Sequence, residues 1–439
     1  MKKYSIRTFG CQMNKHDSEK MAGILEAGGL AATEDRRDAD IIIFNTCSVR
    51  EKAEQKFLSE LGKLKALKRQ RPGLKVAVAG CIAQQMGEDL LKRAPHVDYV
   101  IGPQNLHLLG DLAEGSAPGP RVATEDNPML AEVELPAARR EKSRAWVSIM
   151  YGCDNFCTYC IVPYTRGRER SRPSRSVVEE IKVLASRGCR EVTLLGQNVN
   201  SYRSDTDFPE LLEKIDALEG VERIRFVTSH PRDLSDALVE AMAGLPKVCE
   251  HLHLPLQSGS TRVLGMMNRG YTFEKYMERV ERLREKVPGI AITTDIIAGF
   301  PSETEEDHRQ TVMALERIEF DGIFAFRYSP RPGTRATGFE GQLAEDIKLR
   351  RLQEILALQD DITLRKNKLL EGTAAEVLVE GPSETDPTRL TGRTRTNKIV
   401  NFPSRPGLAE GDTVQVLIVS AMRHSLEGSL VERAGRRLP

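Results

Sequence analysis

The sequence predicts an α/β protein in three parts: an open parallel α/β sheet, then a partial (β/α)6 barrel, then a small β-barrel. Three observations carry that expectation. Residues 1 to about 110 alternate short apolar runs with segments of helical spacing, and residues 140 to about 370 repeat the alternation around six apolar runs. Residues 371 to 439 hold only short β-rich runs punctuated by Gly and Pro. The expected domain bounds are 2–118, 139–370 and 372–435. A linker is expected at 119–138, where the pattern breaks into Gly, Pro, Ala and Glu, as begins in Gly115-Ser116-Ala117-Pro118-Gly119-Pro120.

In the first part, strands are expected at 4–9, 40–44, 75–79 and 99–101, with helices near 17–29, 50–69 and 84–93. Cys11, Cys47 and Cys81 each follow one of the first three strands. Ligands of open parallel sheets sit beyond the carboxyl ends of the strands, so the three thiols should converge there, and a three-thiolate metal cluster becomes plausible. Gly10 and Gly80 beside them allow the backbones to approach closely. A buried free cysteine also behaves as a small hydrophobe, which competes for any one of the three but explains all three together poorly. The basic run Lys63, Lys65, Lys68, Arg69 and Arg71 reads as a solvated helix face in preference to an RNA contact.

The second part opens with a strand at 145–150 that runs into Cys153-Asp154-Asn155-Phe156-Cys157-Thr158-Tyr159-Cys160. Cysteine thiolates hold iron–sulfur clusters, and three of them leave one iron of a four-iron cluster without a protein ligand. An open position separates a reactive metal site from a structural one. A zinc site would need a fourth ligand, and no C-x2-C pair or H-x3-H follows at zinc-finger spacing. Further strands are expected at 191–195, 223–227, 250–254, 291–297 and 322–326, with chemistry at their carboxyl ends. Those ends carry Gln197, Ser229, Gln257 and Asp295. His230, His251 and His253 read as structural histidines, and Cys189 and Cys249 as non-ligating. Arg166, Arg168, Arg170, Arg172 and Arg175, with only Glu169 among them, suit a polyanionic substrate because guanidinium matches phosphate geometry. A long amphipathic helix is expected over 345–370.

In the third part, five short strands near 376–380, 390–394, 398–402, 413–421 and 429–431 fit an OB-like barrel. Arg389, Arg393, Arg395, Lys398 and Arg405 form a run with no acid among them. For the whole chain the net charge is +1, so affinity for nucleic acid has to come from such local segregation. No signal-like apolar region opens the chain and no 18-residue apolar run exists, so a cytoplasmic, non-membrane protein is expected. In a reducing compartment, clustered cysteines read as metal ligands in preference to disulfides.

The run from Gly152 through Gly167, with an aromatic residue, Tyr159, before the last cysteine, resembles the radical S-adenosylmethionine (radical SAM) enzymes, and specifically the methylthiotransferases of that superfamily. Gly10-Cys11-Gln12-Met13-Asn14, Asn45-Thr46-Cys47-Ser48-Val49-Arg50-Glu51-Lys52-Ala53 and Gly80-Cys81-Ile82-Ala83-Gln84-Gln85 are similar to the N-terminal domain of that family. Gly392-Arg393-Thr394-Arg395-Thr396-Asn397-Lys398-Ile399-Val400-Asn401-Phe402 resembles the TRAM domain, an RNA-binding module. One departure is Tyr151, where the family often has glutamate.

The resemblance implies a radical SAM barrel and two [4Fe-4S] clusters, one on Cys153, Cys157 and Cys160, which carry the catalysis, and an auxiliary one on Cys11, Cys47 and Cys81. It implies S-adenosyl-L-methionine as cofactor, with Tyr159, Gln197, Ser229, Gln257 and Asp295 as candidate contacts. It implies tRNA as substrate, with Arg166, Arg168, Arg393, Arg395 and Lys398 as candidate RNA contacts. The expected reaction is methylthiolation of C2 of an isopentenyl-modified adenosine beside the anticodon, using two SAM-dependent steps with the auxiliary cluster as sulfur source. A low-potential donor such as flavodoxin or ferredoxin and a monomeric state are expected. Related enzymes that act on threonylcarbamoyl-adenosine or on a ribosomal-protein aspartate share both triplets, and a non-catalytic RNA-binding iron–sulfur sensor is the alternative of another class.

Overall fold

A computed structural model describes residues 1–48, 51–114, 121–127, 136–139, 141–384 and 386–431. The chain divides into two compact units. One comprises Met1–Arg140, Met150–Pro173 and Arg331–Thr334; the other comprises Glu141–Ile149, Ser174–Pro330 and Arg335–Pro439.

The first unit is built on a six-stranded parallel sheet. In spatial order its strands are Ala31–Ala32, Lys3–Thr8, Ile41–Thr46, Lys75–Gly80, Tyr99–Ile101 and Arg121–Ala123. Ile41–Thr46 is buried along its whole length because helices cover both faces of the sheet, as parallel sheets require. Phe44, Phe57, Val76 and Val78 fill one face, and Met21, Leu25, Ile43 and Ala77 the other. Chain order reverses between Lys3–Thr8 and Ile41–Thr46, so the ligand crevice of this topology lies at the carboxyl ends of those two strands.

Two features of this unit depart from expectation. Within the expected linker, Arg121–Ala123 pairs in parallel with Tyr99–Ile101 and covers what would be a bare edge. Three residues with a single β-branched side chain give too short a pattern to be read as a strand. Much of the rest of that linker, 115–120 and 128–135, lies outside the described residues, as do Val49 and Arg50 of the second cysteine motif. The other departure is the cysteine loop at 150–173, expected in the barrel domain but packed within the first unit. Buried side-chain bonds hold it there: Lys20 Nζ donates to Tyr151 Oη at 2.8 Å, and Arg166 Nη2 donates to Asp17 Oδ2 at 2.7 Å.

The second unit contains six parallel strands: Arg144–Ser148, Glu191–Leu195, Arg223–Phe226, His251–His253, Ala291–Ala298 and Gly322–Arg327. They form two three-stranded sheets, which an isolated parallel bridge from Ile224 to Val248 joins into one partial barrel. The helix Glu345–Lys368 follows, then a closed five-stranded barrel of Ala374–Pro382, Arg389–Thr394, Ile399–Pro403, Leu426–Leu430 and Thr413–Ala421. Val377, Val379, Val400, Phe402, Val416 and Ile418 fill its core.

The basic turn of this small barrel is half-buried against the partial barrel. Arg223 and Arg225, at the start of their strand, donate to the carbonyls of Arg393 at 2.8 Å, Arg395 at 2.8 Å and Thr394 at 2.7 Å. Arg395 in return chelates Glu250 at 2.8 Å and donates to the Val248 carbonyl. Lys398 bonds Asn367 at 2.8 Å and Asp321 at 3.3 Å, while Arg393 pairs with Glu380 at 2.9 Å. Arg223, Glu250 and Asp321 all lie where barrel strands begin, so the turn plugs the amino-terminal end of the partial barrel. Arg393, Arg395 and Lys398, expected as RNA contacts, are thus half-buried and each is paired with an acid of the same unit.

Beneath the plug, Arg225 and Glu191 form a buried pair at 2.9 Å. Removing one partner strands a buried charge, so Arg225→Met should cost about 3–5 kcal/mol. The check is a lower urea midpoint for the transition of this unit, with Arg225→Met shifting it well beyond a surface control such as Arg350→Met.

Candidate iron–sulfur and cofactor sites

The auxiliary triplet is set by strand register. Thr8 pairs with Asn45, and Asn45 and Thr46 pair with Ala79 and Gly80, so three neighbouring strands end level. Cys11 caps the helix Gln12–Ala27, Cys47 directly follows Ile41–Thr46, and Cys81 begins the helix Cys81–Met86. Close approach is built in: a Cβ on Gly10, whose φ is +123°, would fall 2.2 Å from the Cys47 Cβ. Two asparagines lash the strand ends together. Asn14 Nδ2 donates to Asn45 Oδ1 at 3.1 Å and to the Thr46 carbonyl at 2.9 Å, and Asn45 Nδ2 returns a bond to the Asn14 carbonyl at 2.7 Å. Cys11 Sγ donates to Asn14 Oδ1 at 3.2 Å. Sequence reading quoted both asparagines within motifs and gave them no role. Their signal was position: one stands three residues after the first cysteine, the other two before the second.

Electrostatics at this triplet pull two ways. A hydrogen bond from Cys47, helped by the charge of Arg166, holds the Cys11 thiol down to about 6 against its burial. Burial pushes the Cys81 thiol up, and the charge of Arg166 opposes that rise. Arg166, expected as an RNA contact, is only 6% exposed. The His16 imidazole is buried and held neutral, first by desolvation and then by Lys20, Arg139, Arg172 and Arg166 around it. None of this cationic surround was read from the sequence, because its members are scattered along it.

The second triplet lies on the loop after Tyr151. Gly152 has a φ of +73°, and a Cβ there would lie 2.0 Å from the Arg168 carbonyl oxygen, so only glycine lets the two arms of the loop touch. Cys153 N–H donates to the Gly167 carbonyl at 3.2 Å, and Cys160 N–H to the Cys157 carbonyl at 2.9 Å, closing the turn that carries Tyr159. Arg168 grips Asp154 through two bonds at 2.7 and 3.1 Å and lies over the Phe156 ring, which meets Tyr164 edge-on at 6.3 Å. Arg168 remains exposed. Cys157 is buried and Cys153 and Cys160 are half-buried; burial pushes the Cys153 thiol up to about 11.

Both triplets are all-sulfur donor sets, as iron–sulfur clusters require. Among the described residues no three His, Cys, Asp or Glu side chains are close enough to share one metal ion. The thiolates of a four-iron cluster each take a different iron and stand farther apart, so that spacing does not argue against a cluster.

In the second unit the carboxyl ends of the strands carry polar atoms that nothing satisfies. Gln197 Oε1, Asn198 Oδ1, Ser229 Oγ and His230 Nε2 are buried without a hydrogen-bond partner among the described residues. Burying such atoms unpaired costs about 1–3 kcal/mol each, so a polar ligand is the natural complement. Thr228 and Gln257 hold φ of +69° and +73°, strained for side-chain-bearing residues and concentrated at this rim. Gln257 N–H donates to the Asp295 carbonyl at 2.8 Å, and the Asp295 carboxylate lies 3.5 Å from His253 Nε2. His230 is pushed down to about 2 by burial and by Arg269 and Arg232, so it is a neutral group here. Asn198, which was not among the candidates, belongs with Gln197 and Ser229 by this criterion.

Residues 3–102 match the model of an uncharacterized protein family, UPF0004; residues 147–315 match the radical SAM superfamily; and residues 368–431 match the TRAM domain. The chain is 54% identical, over 97% of its length and 98% of the relative's, to the tRNA-2-methylthio-N(6)-dimethylallyladenosine synthase of Thermodesulfovibrio yellowstonii. It is 50% identical to the protein of the same name from Syntrophobacter fumaroxidans, covering 98% of this chain and 96% of that one. Among solved structures, the radical S-adenosylmethionine methyltransferase TsrM from Kitasatospora setae aligns with a TM-score of 0.59 at 18% identity, over 77% of each chain. The cobalamin-dependent radical enzyme OxsB aligns with a TM-score of 0.54 at 11% identity, over 82% of this chain and 56% of that one. Those two likenesses concern fold alone. With full-length identity near one half and all three family models in order along it, the chain belongs to the radical SAM family of the tRNA-2-methylthio-N(6)-dimethylallyladenosine synthases.

Proposed function

We propose that this enzyme methylthiolates C2 of N6-isopentenyladenosine beside the anticodon of tRNA. The observation that carries the reading is the auxiliary triplet: three thiols on level strand ends at the topological switch point of a parallel sheet. A sulfur-inserting enzyme needs such a second centre and a simple radical SAM enzyme does not. When bound, the cluster on Cys153, Cys157 and Cys160 would supply the electron that cleaves S-adenosyl-L-methionine, and that on Cys11, Cys47 and Cys81 the sulfur.

The protein's own groups do the rest. Gln197 Oε1 would accept from the amino or ribose groups of S-adenosyl-L-methionine and the Ser229 hydroxyl would accept from or donate to them, with Gln257 and Asp295 beside them and Tyr159 on the cysteine turn. Gly152 and the Asp154–Arg168 clamp keep the loop of the second triplet in one shape, so Cys153, Cys157 and Cys160 would hold a cluster on a fixed support. Domain bounds of 2–118, 139–370 and 372–435 accompany this reading, as do a cytoplasmic monomer and a flavodoxin or ferredoxin as electron donor. No helix among the described residues is long and apolar enough to cross a membrane.

After anaerobic reconstitution the chain should bind about eight irons, and about four when either cysteine triplet is changed to alanine. Gly10→Ala should behave like loss of the auxiliary triplet, because its methyl group would occupy the space of Cys47. Four irons in the unaltered chain would sink the two-centre reading.

Offered isopentenyl-modified tRNA, threonylcarbamoyl-modified tRNA and the ribosomal-protein peptide, the reduced enzyme should add a methylthio group only to the first, as read by mass spectrometry. A product on either of the others moves the assignment to that substrate, and RNA binding without S-adenosyl-L-methionine cleavage makes the chain a sensor.

Arg395→Ala and Lys398→Ala should lower the stability of the second unit yet leave the salt slope of tRNA binding unchanged, since neither charge is free to replace counterions. A slope reduced by about one per residue would return them to the RNA interface.

A further inference from the structure

Arg166 is the least expected charge in the first unit. It lies at the end of the helix Val162–Arg166, just past the second cysteine triplet, yet its charge acts on Cys11 and Cys81 of the first. The helix packs on Cys81–Met86, and Gln104 Nε2 holds the Arg166 carbonyl at 3.1 Å. Asp17 Oδ2 takes Nη2 at 2.7 Å, with both side chains almost fully buried. Lys20, Arg139 and Arg172 also surround His16, whereas the acids on the same stretch of helix are Asp17 and Glu19.

We propose that Arg166 is a positioning residue of the auxiliary centre, a fixed buried cation on a helix packed against Cys81–Met86 that sets the reduction potential of whatever cluster the three thiolates hold, and is itself metered by Asp17. An arginine stays charged throughout the working pH range, so the effect needs no titration. Hydrogen bonds to ligating sulfur and net charge nearby are the levers a protein has over cluster potential. A nearby cation favours the reduced, more negative cluster; a nearby carboxylate opposes it. The residue also ties the loop that carries one cysteine triplet, through Asp17, to the helix that follows Cys11 of the other within a single compact unit.

This inference rests on Cys11, Cys47 and Cys81 being an iron–sulfur site, and the test separates the two. In a full-length chain with Cys153, Cys157 and Cys160 changed to alanine, only the auxiliary cluster reports. The iron content of that parent, about four per chain, tests the site. Its midpoint potential, followed by visible absorbance and electron paramagnetic resonance during dithionite titration, tests the role of Arg166. Arg166→Gln should shift the midpoint to more negative values, Asp17→Asn to less negative values, and Arg166→Lys should fall between the parent and Arg166→Gln. Simple loosening of the fold cannot produce opposite shifts from the two halves of one ion pair. The inference is overturned by an unchanged midpoint in Arg166→Gln, by shifts of the same sign in Arg166→Gln and Asp17→Asn, or by loss of iron from both Arg166 variants. A parent chain without iron fails the site itself.

Discussion

Parallel strand pairing is the constraint on which the first unit depends. Hydrogen bonds from Lys3–Thr8 to Ile41–Thr46 and on to Lys75–Gly80 fix three strand ends at one height, and the sequence puts a cysteine within a few residues of each end. A one-residue slip would turn a whole strand over and carry its thiol away from the others. The alternation of buried Ile, Phe and Val on the two faces makes such a slip costly. The hydrophobic core thus fixes the geometry of a polar site, and Asn14 and Asn45 complete the work by bonding across the same strand ends.

Buried arginine is the second theme, and it recurs in both units with the same logic. Arg166 is matched by Asp17; Arg223 and Arg225 are matched by Glu376, Glu191 and backbone carbonyls. Guanidinium suits this because its planar fork of donors can satisfy several acceptors at once. In the second unit those arginines join the starts of the barrel strands to a turn of the small barrel, the end of an α/β barrel that serves stability instead of chemistry. The unpartnered atoms of Gln197, Asn198, Ser229 and His230 lie beyond the carboxyl ends of the strands. Satisfied charge at one end and unsatisfied polarity at the other is the division of labour expected of a barrel enzyme.

Much of this was legible in the sequence, for identifiable reasons. The strand at 191–195 was read with the bounds it has, and those at 223–227, 291–297 and 322–326 to within a residue, because β-branched runs bounded by helices of clear period leave little freedom. The strand ends then placed the cysteines without further help. What sequence could not give was the partner of a charge. Arg166 and Arg168 look alike in a basic run, yet one is buried against Asp17 and the other lies exposed over Phe156. The run Arg393, Arg395 and Lys398 likewise has no acid within it, and its acids, Glu380, Glu250 and Asp321, are contributed by other strands. Local segregation of charge reads as a binding surface only when tertiary structure does not bring in the opposite sign.

The acids that meet the basic turn draw attention to the other side of the terminal module. There Leu417, Val419 and Met422 are exposed along or just after the strand Thr413–Ala421, and Arg405 is exposed in the loop before it. Exposed apolar side chains beside a cation suit unstacked bases better than a duplex, since single-stranded RNA is held largely by stacking and by its backbone charge. An anticodon loop offers both. The conspicuous arginines of its motif have a structural task in any case, since they hold the small barrel in register with the large one.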